Sequence, residues 1–356
     1  MPIIDVLRRV QRGARSRLGE RSRTGSPRIL VIGICQAAAI ARAMRLLLPD
    51  AAVSFVSAFS AAKTFPRIAD LIAEAQSHDV VFANTYLPAF KDGGGIETLR
   101  VASNLILMPL IVFPAFHPDL VHIGEEVVPG DGNLLVGPMG RSHSALTLFG
   151  FRAGLTPEET RRLFTASVYR RLGYFDGWNE SVAFLRTLGQ QADHELDADI
   201  ARWTRRGCFM HANNHPKMYV AADLARSLLA RASIPFGDCD LDAYLSDDFI
   251  RLGTWPVYPE IAEHYGVPGS SLFLTAEIAK AGRARTLTLE TFIEKSFDRY
   301  RSTPRDRLVC FRVAAWLSDA EICSDLRALS ADADASPADT AYRALADTVG
   351  EPVAIG

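Results

Sequence analysis

The chain has 356 residues, of which 48% are hydrophobic and 22% charged, and its formal net charge is −2. This composition excludes a mostly disordered chain, a collagen-like fibre and a coiled-coil rod, and the length suits about two domains whose core needs neither disulfides nor metals. The longest apolar run, Leu105 to Phe116, is twelve residues and holds Pro109 and Pro114, well short of the ~20 residues of a membrane helix.

Residues 1–28 carry eight arginines against two acids, Asp5 and Glu20, which leaves 31 basic and 39 acidic residues elsewhere. Residues 1–27 read as a basic, partly disordered leader that could touch phosphates, anionic lipid or a partner. The acidic remainder argues against nucleic acid as a ligand. No apolar secretory segment opens the sequence. The five cysteines (Cys35, Cys208, Cys239, Cys310, Cys323) are odd in number and widely spaced, so reduced thiols in a cytoplasm are expected.

Arg28 to Ile34 (RILVIGI) is a β-branched apolar run and reads as a buried strand. The Ala- and Leu-rich segment after Cys35-Gln36 reads as a helix ending before Pro49. Strands follow at Ala52 to Ser57 and Asp79 to Asn84, with a helix at Arg67 to Gln76 between them. This alternation predicts an α/β fold, a parallel sheet with crossover helices. A fourth strand is expected over Leu105 to Phe113, then a glycine-rich loop to Arg141. The C-terminal half reads as helix-rich: Ser144 to Arg152, a helix opened by Thr156-Pro157-Glu158-Glu159, and 179–190, 194–205, 216–231, 289–302 and 338–348.

Cys35 falls where the first strand turns into its helix. Ligands of open α/β sheets bind at the carboxyl ends of the strands. A thiol at a helix N-terminus faces unpaired N–H groups and the positive dipole end, which favour the thiolate. The same N–H groups suit an oxyanion, and Gly33 lets the backbone approach a ligand. A buried core thiol is the competing reading. Asn84 ends the third strand on the same edge, where its amide is a candidate oxyanion donor or an ordinary turn former. His117, His143, His211 and His215 lie near strand ends or helix starts, the places a general base would occupy. Cys208, His211 and His215 have zinc-like spacing but no partner cysteine pair, so no metal is expected. Dinucleotide, Walker A, nucleophile-elbow and zincin motifs are absent.

Four segments together resemble the WcbI-type polysaccharide-biosynthesis family: Gly33-Ile34-Cys35-Gln36 after a strand, Phe116-His117-Pro118-Asp119, Ser142-His143-Ser144, and Asn213-Asn214-His215-Pro216. Ile34 stands where the family pattern has Asn, so a difference in rate or substrate is expected there. The family is regarded as coenzyme-A-binding acetyltransferases of bacterial capsule assembly, with a layout reminiscent of SGNH hydrolases and flavodoxin-like sheets.

The resemblance covers about 28–235 and implies an α/β catalytic domain there. Residues 236–329 are expected as a helical extension packing on that core, and 330–356 as a peripheral helix and tail. It implies coenzyme A or acetyl-CoA as acyl donor and a nucleotide-sugar or polysaccharide acceptor; the cysteine usage points to the cytoplasm, and the Arg-rich leader could contact the inner face of the membrane or a capsule complex there. The implied catalytic set is Cys35 with His215 as base, or His143 as second choice. Gly33, Gln36, Asn84, His117 and Asn214 are expected at the oxyanion or substrate, and Arg141 at the coenzyme phosphates. A thiol-dependent glycan esterase or deacetylase would use the same constellation with water as acceptor and would not need coenzyme A. A non-catalytic capsule-assembly partner would have an unreactive Cys35.

Overall fold

The structure is a computed structural model, and it describes residues 26–87, 90–124, 133–237, 239–276 and 286–332. The leader, residues 125–132 of the glycine-rich loop and the helix expected at 338–348 lie outside the described residues.

The chain forms two compact units that interleave in sequence. The first comprises described residues up to Val112, then Ala183–Trp203 and His215–Asp248. Its centre is a four-stranded parallel sheet of order β2-β1-β3-β4, built from β1 (Arg28–Gly33), β2 (Ala52–Ser57), β3 (Val80–Asn84) and β4 (Leu105–Met108). β1 and β3 are central, and their sequences are near-continuous apolar runs because helices cover both faces. Leu30 and Ile32 stand beside Val81 and Ala83 in register and pack with Ile68, Leu71, Ala75 and Leu99. The two-residue period of a strand sends Ile29 and Val31 to the opposite face. Edge strand β2 is only half-buried.

Helix α1 (Cys35–Leu47) buries Ala37, Ala39, Ile40, Ala41, Ala43 and Met44. Those small side chains allow a close approach, and α1 packs against β1 and the helix Met218–Arg231. The fourth strand is shorter than expected. It stops at Met108 because Pro109 has no N–H to donate.

A division at 235 falls inside this first unit, which continues to Asp248. Tertiary contacts hold that continuation: Gly237 N–H donates to Leu47 O at 3.1 Å, Met218 N–H to Asp247 Oδ2 at 3.0 Å, and Arg42 pairs with Asp248.

The second unit contains Phe113–Val182, Thr204–Asn214 and the described residues from Phe249 on. It is mostly helical, with short antiparallel ladders Leu120–Val121 with His143–Ser144 and Phe273–Leu274 with Thr286–Leu287. The expected helix starts occur. Ser144 Oγ accepts the Thr147 N–H at 2.9 Å, and Thr156 and Glu159 form a capping box. Helices Phe311–Ser318 and Ala320–Ala331 complete it. Among the described residues no helix is long and apolar enough to cross a membrane.

Candidate active site

In a 2-1-3-4 sheet the connections leave β1 toward opposite edges, so β1 and β3 flank the point where the strand order reverses. Ligands of open α/β sheets bind in the crevice at that point, beyond the carboxyl ends of the strands. Gly33 and Cys35 follow β1 there, and Asn84 ends β3. The sheet thus brings together four expected residues: Gly33, Cys35, Gln36 and Asn84.

Cys35 is the first residue of α1 and is half-buried. The backbone N–H groups of Gln36 and of Cys35 itself lie beside its sulfur and favour the thiolate, but burial outweighs them and pushes the thiol up. The expected lowered thiol is therefore corrected. The N-terminal donors are present, yet desolvation of the sulfur costs more than they return.

The two amides also differ from expectation. Asn84 is fully buried; its Oδ1 accepts the Ile34 N–H at 3.2 Å, and its Nδ2 donates to Met108 O at 3.4 Å. Gln36 is buried as well. Its Nε2 donates to Ile111 O and its Oε1 accepts the Ile111 N–H, both at 2.9 Å. Both side chains tie backbone to backbone, as a neighbouring strand would. Gly33 is required here, because a Cβ would lie 2.1 Å from Asn84 Oδ1.

His215 belongs to the first unit. It lies just ahead of the helix Met218–Arg231, which packs on α1, and is half-buried. His117, Arg141, His143 and Asn214 belong to the second unit. His117 is buried, and Asn214 and Arg141 are exposed. The Arg141 carbonyl accepts from His122 Nδ1 at 2.9 Å. His143 is sealed from solvent, with Nε2 3.0 Å from Leu135 O and Nδ1 3.1 Å from Tyr300 Oη. A carbonyl only accepts, so Nε2 carries the proton and Nδ1 accepts from the tyrosine. Burial pushes this imidazole down to about 4, which keeps it neutral near pH 7.

The second unit also holds a buried carboxylate that was read from sequence only as part of a motif. Asp119 Oδ1 accepts the Leu146 N–H at 2.9 Å and the Tyr174 hydroxyl at 3.1 Å, and Oδ2 accepts the Tyr258 hydroxyl at 3.0 Å. Ser144 donates a fourth bond. Burial nonetheless raises the carboxyl to about 6. The signal in the sequence was the Asp of His117-Pro118-Asp119; its tyrosine partners had none. Among the described residues no group of three or more potential metal ligands gathers.

A four-stranded parallel sheet covered by helices defines the class of protein: an α/β protein with a thiol at the carboxyl edge of its sheet. A family model described as "Polysaccharide biosynthesis enzyme WcbI" matches residues 28–236, more than half of the chain. The chain belongs to the WcbI family of polysaccharide biosynthesis enzymes. It is similar to a solved WcbI structure, that of a novel polysaccharide biosynthesis enzyme described as native protein without a disulfide bond between coenzyme A and a cysteine. The match has a TM-score of 0.59 at 15% identity and covers 86% of this chain and 100% of the other. At that identity the match bears on the fold. No curated protein matches the chain.

Proposed function

We propose that this enzyme transfers an acyl group from a coenzyme A thioester to a sugar hydroxyl during polysaccharide assembly. The observation that carries this reading is the Cys35 sulfur at the switch point, beside the backbone N–H groups that open α1. The solved relative supports the choice of donor, since its description pairs coenzyme A with a cysteine.

In the proposed reaction the raised Cys35 thiol is neutral at rest, so a base must take its proton as sulfur attacks. His215 is the base. The Cys35 sulfur forms a bond to the acyl carbon, and the bond from that carbon to the coenzyme sulfur breaks. The departing coenzyme thiolate takes the proton from His215. A sugar hydroxyl then attacks the acyl-Cys35 carbon, gives its proton to His215, and the thiol is released and reprotonated. The N–H groups of Cys35 and Gln36 steady the negative charge in both steps. With both nitrogens engaged and no solvent access, His143 serves the fold of its own unit rather than proton transfer.

The test is acid-quenched mass spectrometry after mixing the protein with acetyl-CoA. The reading expects an added acetyl on the Cys35 peptide that disappears when a sugar acceptor is added. Calorimetry with coenzyme A, with ATP and dephospho-CoA as controls, checks the donor independently. Absence of coenzyme binding at millimolar ligand would sink the donor assignment and leave a glycan esterase.

A further inference from the structure

Two buried amide side chains, Gln36 next to Cys35 and Asn84 bonded to Ile34 just before it, have no task in the proposed reaction. Asn84 is the one placed to control the backbone that feeds the thiol. Its Oδ1 holds the Ile34 N–H at 3.2 Å, and the Ile34 carbonyl accepts the Ala37 N–H at 2.9 Å. The peptide units on both sides of Ile34 are therefore fixed. A peptide group is planar, so the fixed Ile34 carbonyl also fixes the direction of the Cys35 N–H across the same bond. That N–H and the one from Gln36 are the backbone donors beside the sulfur at the start of α1. On the other side, Asn84 Nδ2 reaches Met108 O at 3.4 Å, at the end of β4. The Asn84 side chain thus ties together the ends of β1, β3 and β4. Gly33 keeps the space open: its α-carbon passes so close that a Cβ would meet Asn84 Oδ1 at 2.1 Å and Asn84 Cγ at 2.9 Å.

We infer that Asn84 is a positioning residue for Cys35: by holding the Ile34 N–H it fixes the backbone from which the first turn of α1 starts, and with it the place of the Cys35 N–H beside the sulfur, and it does not itself donate to an oxyanion. A donor to substrate needs a hydrogen that faces the substrate. Asn84 has 0% of its surface exposed and has committed its amide to backbone groups on two sides. The inference rests on the reading that Cys35 is the reactive group, and not on the identity of the acyl donor or acceptor.

The experiment is alkylation of Cys35 by iodoacetamide in the full chain from pH 6 to 11, read on the Cys35 peptide by mass spectrometry. It needs no acyl donor and no sugar, so its outcome is independent of whether acyl transfer occurs. Asn84→Ala frees the Ile34 peptide. The expected result is a Cys35 titration about one unit higher, and so roughly tenfold slower labelling at pH 8. Gly33→Ala, which displaces the amide without removing it, should shift the titration the same way. Asn84→Asp is the conservative rescue. While neutral, the introduced carboxyl accepts from Ile34 and donates to Met108, so labelling should follow the wild type at the acid end and fall behind as that carboxyl ionises.

A merely structural role would lower the melting temperature without moving the thiol titration. An unchanged titration in folded Asn84→Ala overturns the inference. If that variant does not fold, an Asn84→Asp profile identical to wild type across the whole range overturns it. Loss of turnover with an unchanged Cys35 titration also overturns it and returns Asn84 to a donor role.

Discussion

The Gln36 side chain and the Ile111 backbone exchange two hydrogen bonds of 2.9 Å each, at a place where Gln36 is 2% exposed and Ile111 is not exposed at all. The pair extends the pattern of the sheet past Pro109, where β4 stops. Gln36→Leu keeps the volume but leaves the Ile111 N–H and carbonyl without these partners. Each buried unsatisfied group costs about 1–3 kcal/mol. Urea unfolding should therefore show a loss of about 2–4 kcal/mol. A loss below ~1 kcal/mol would mean that other groups take over both bonds.

Asp119 and His143 titrate in opposite senses within the second unit. Burial holds the Asp119 carboxyl at about 6 in the fold against an ordinary 3.8, and the His143 imidazole at about 4 against 6.5. The Asp119 contribution is complete below its unfolded value and is lost as pH rises through about 6. The His143 contribution is complete above 6.5 and is lost as pH falls toward 4. Between pH 4 and 6 the two slopes oppose each other. Asp119→Asn should leave the His143 slope uncovered, so its stability relative to wild type climbs with pH by roughly 3 kcal/mol across that window. His143→Gln should show the opposite trend by a similar amount. Urea midpoints at pH 4, 5, 6 and 7 check both. Three parallel profiles would refute the assignment.

Acyl transfer makes its own demand on Cys35 and His215. Cys35→Ala and His215→Ala should each lower turnover by about 100-fold or more, as removal of a nucleophile or general base does. Release of the coenzyme thiol, followed with a chromogenic disulfide, measures this. Because burial raises the thiol, wild-type turnover should also climb into the alkaline range. Full turnover in both Cys35→Ser and Cys35→Ala would remove the acyl-enzyme step and leave direct transfer assisted by His215.

Two glycines of the helix Ala145–Ala153 and its end are needed for different reasons. A Cβ at Gly150 would lie 2.1 Å from the Thr160 hydroxyl, whose own bond runs to Thr156 O at 2.8 Å. Gly154 terminates the helix at φ 78° with open space around it. Gly150→Ala should cost about 1–3 kcal/mol or more through overpacking. Gly154→Ala should cost about 1 kcal/mol, the strain of a left-handed residue with a side chain. Thermal midpoints of the two variants decide; an equal or smaller loss at Gly150 would contradict the packing account.

Much of the fold was legible before any coordinates. RILVIG and VVFAN are apolar runs too short for helices, and the Ala-rich stretch after Cys35 has little choice but to be one, so a parallel α/β sheet with a cysteine at its edge followed from local pattern. The caps at Ser144 and Thr156 were equally local, since each is satisfied within three residues.

The sequence by itself therefore determined the sheet, the first helix, the place of Cys35 on the strand-end edge, and the motif order that carried the family resemblance. Only tertiary structure decided the chemical state of that edge. A helix N-terminus lowers a thiol in the absence of other effects, but desolvation depends on what packs around it, and here it wins. Asn84 and Gln36 read as free donors until Ile34, Met108 and Ile111, from 24 to 75 residues away along the chain, claim their amides. Tyr174 and Tyr258 reach Asp119 across 55 and 139 residues, and the first unit runs on to Asp248 because Gly237 and Asp247 are bonded back into it. Local pattern sets which element a residue joins. The environment of a polar group is set by partners distant in sequence, and a single chain read in order carries no signal of those contacts.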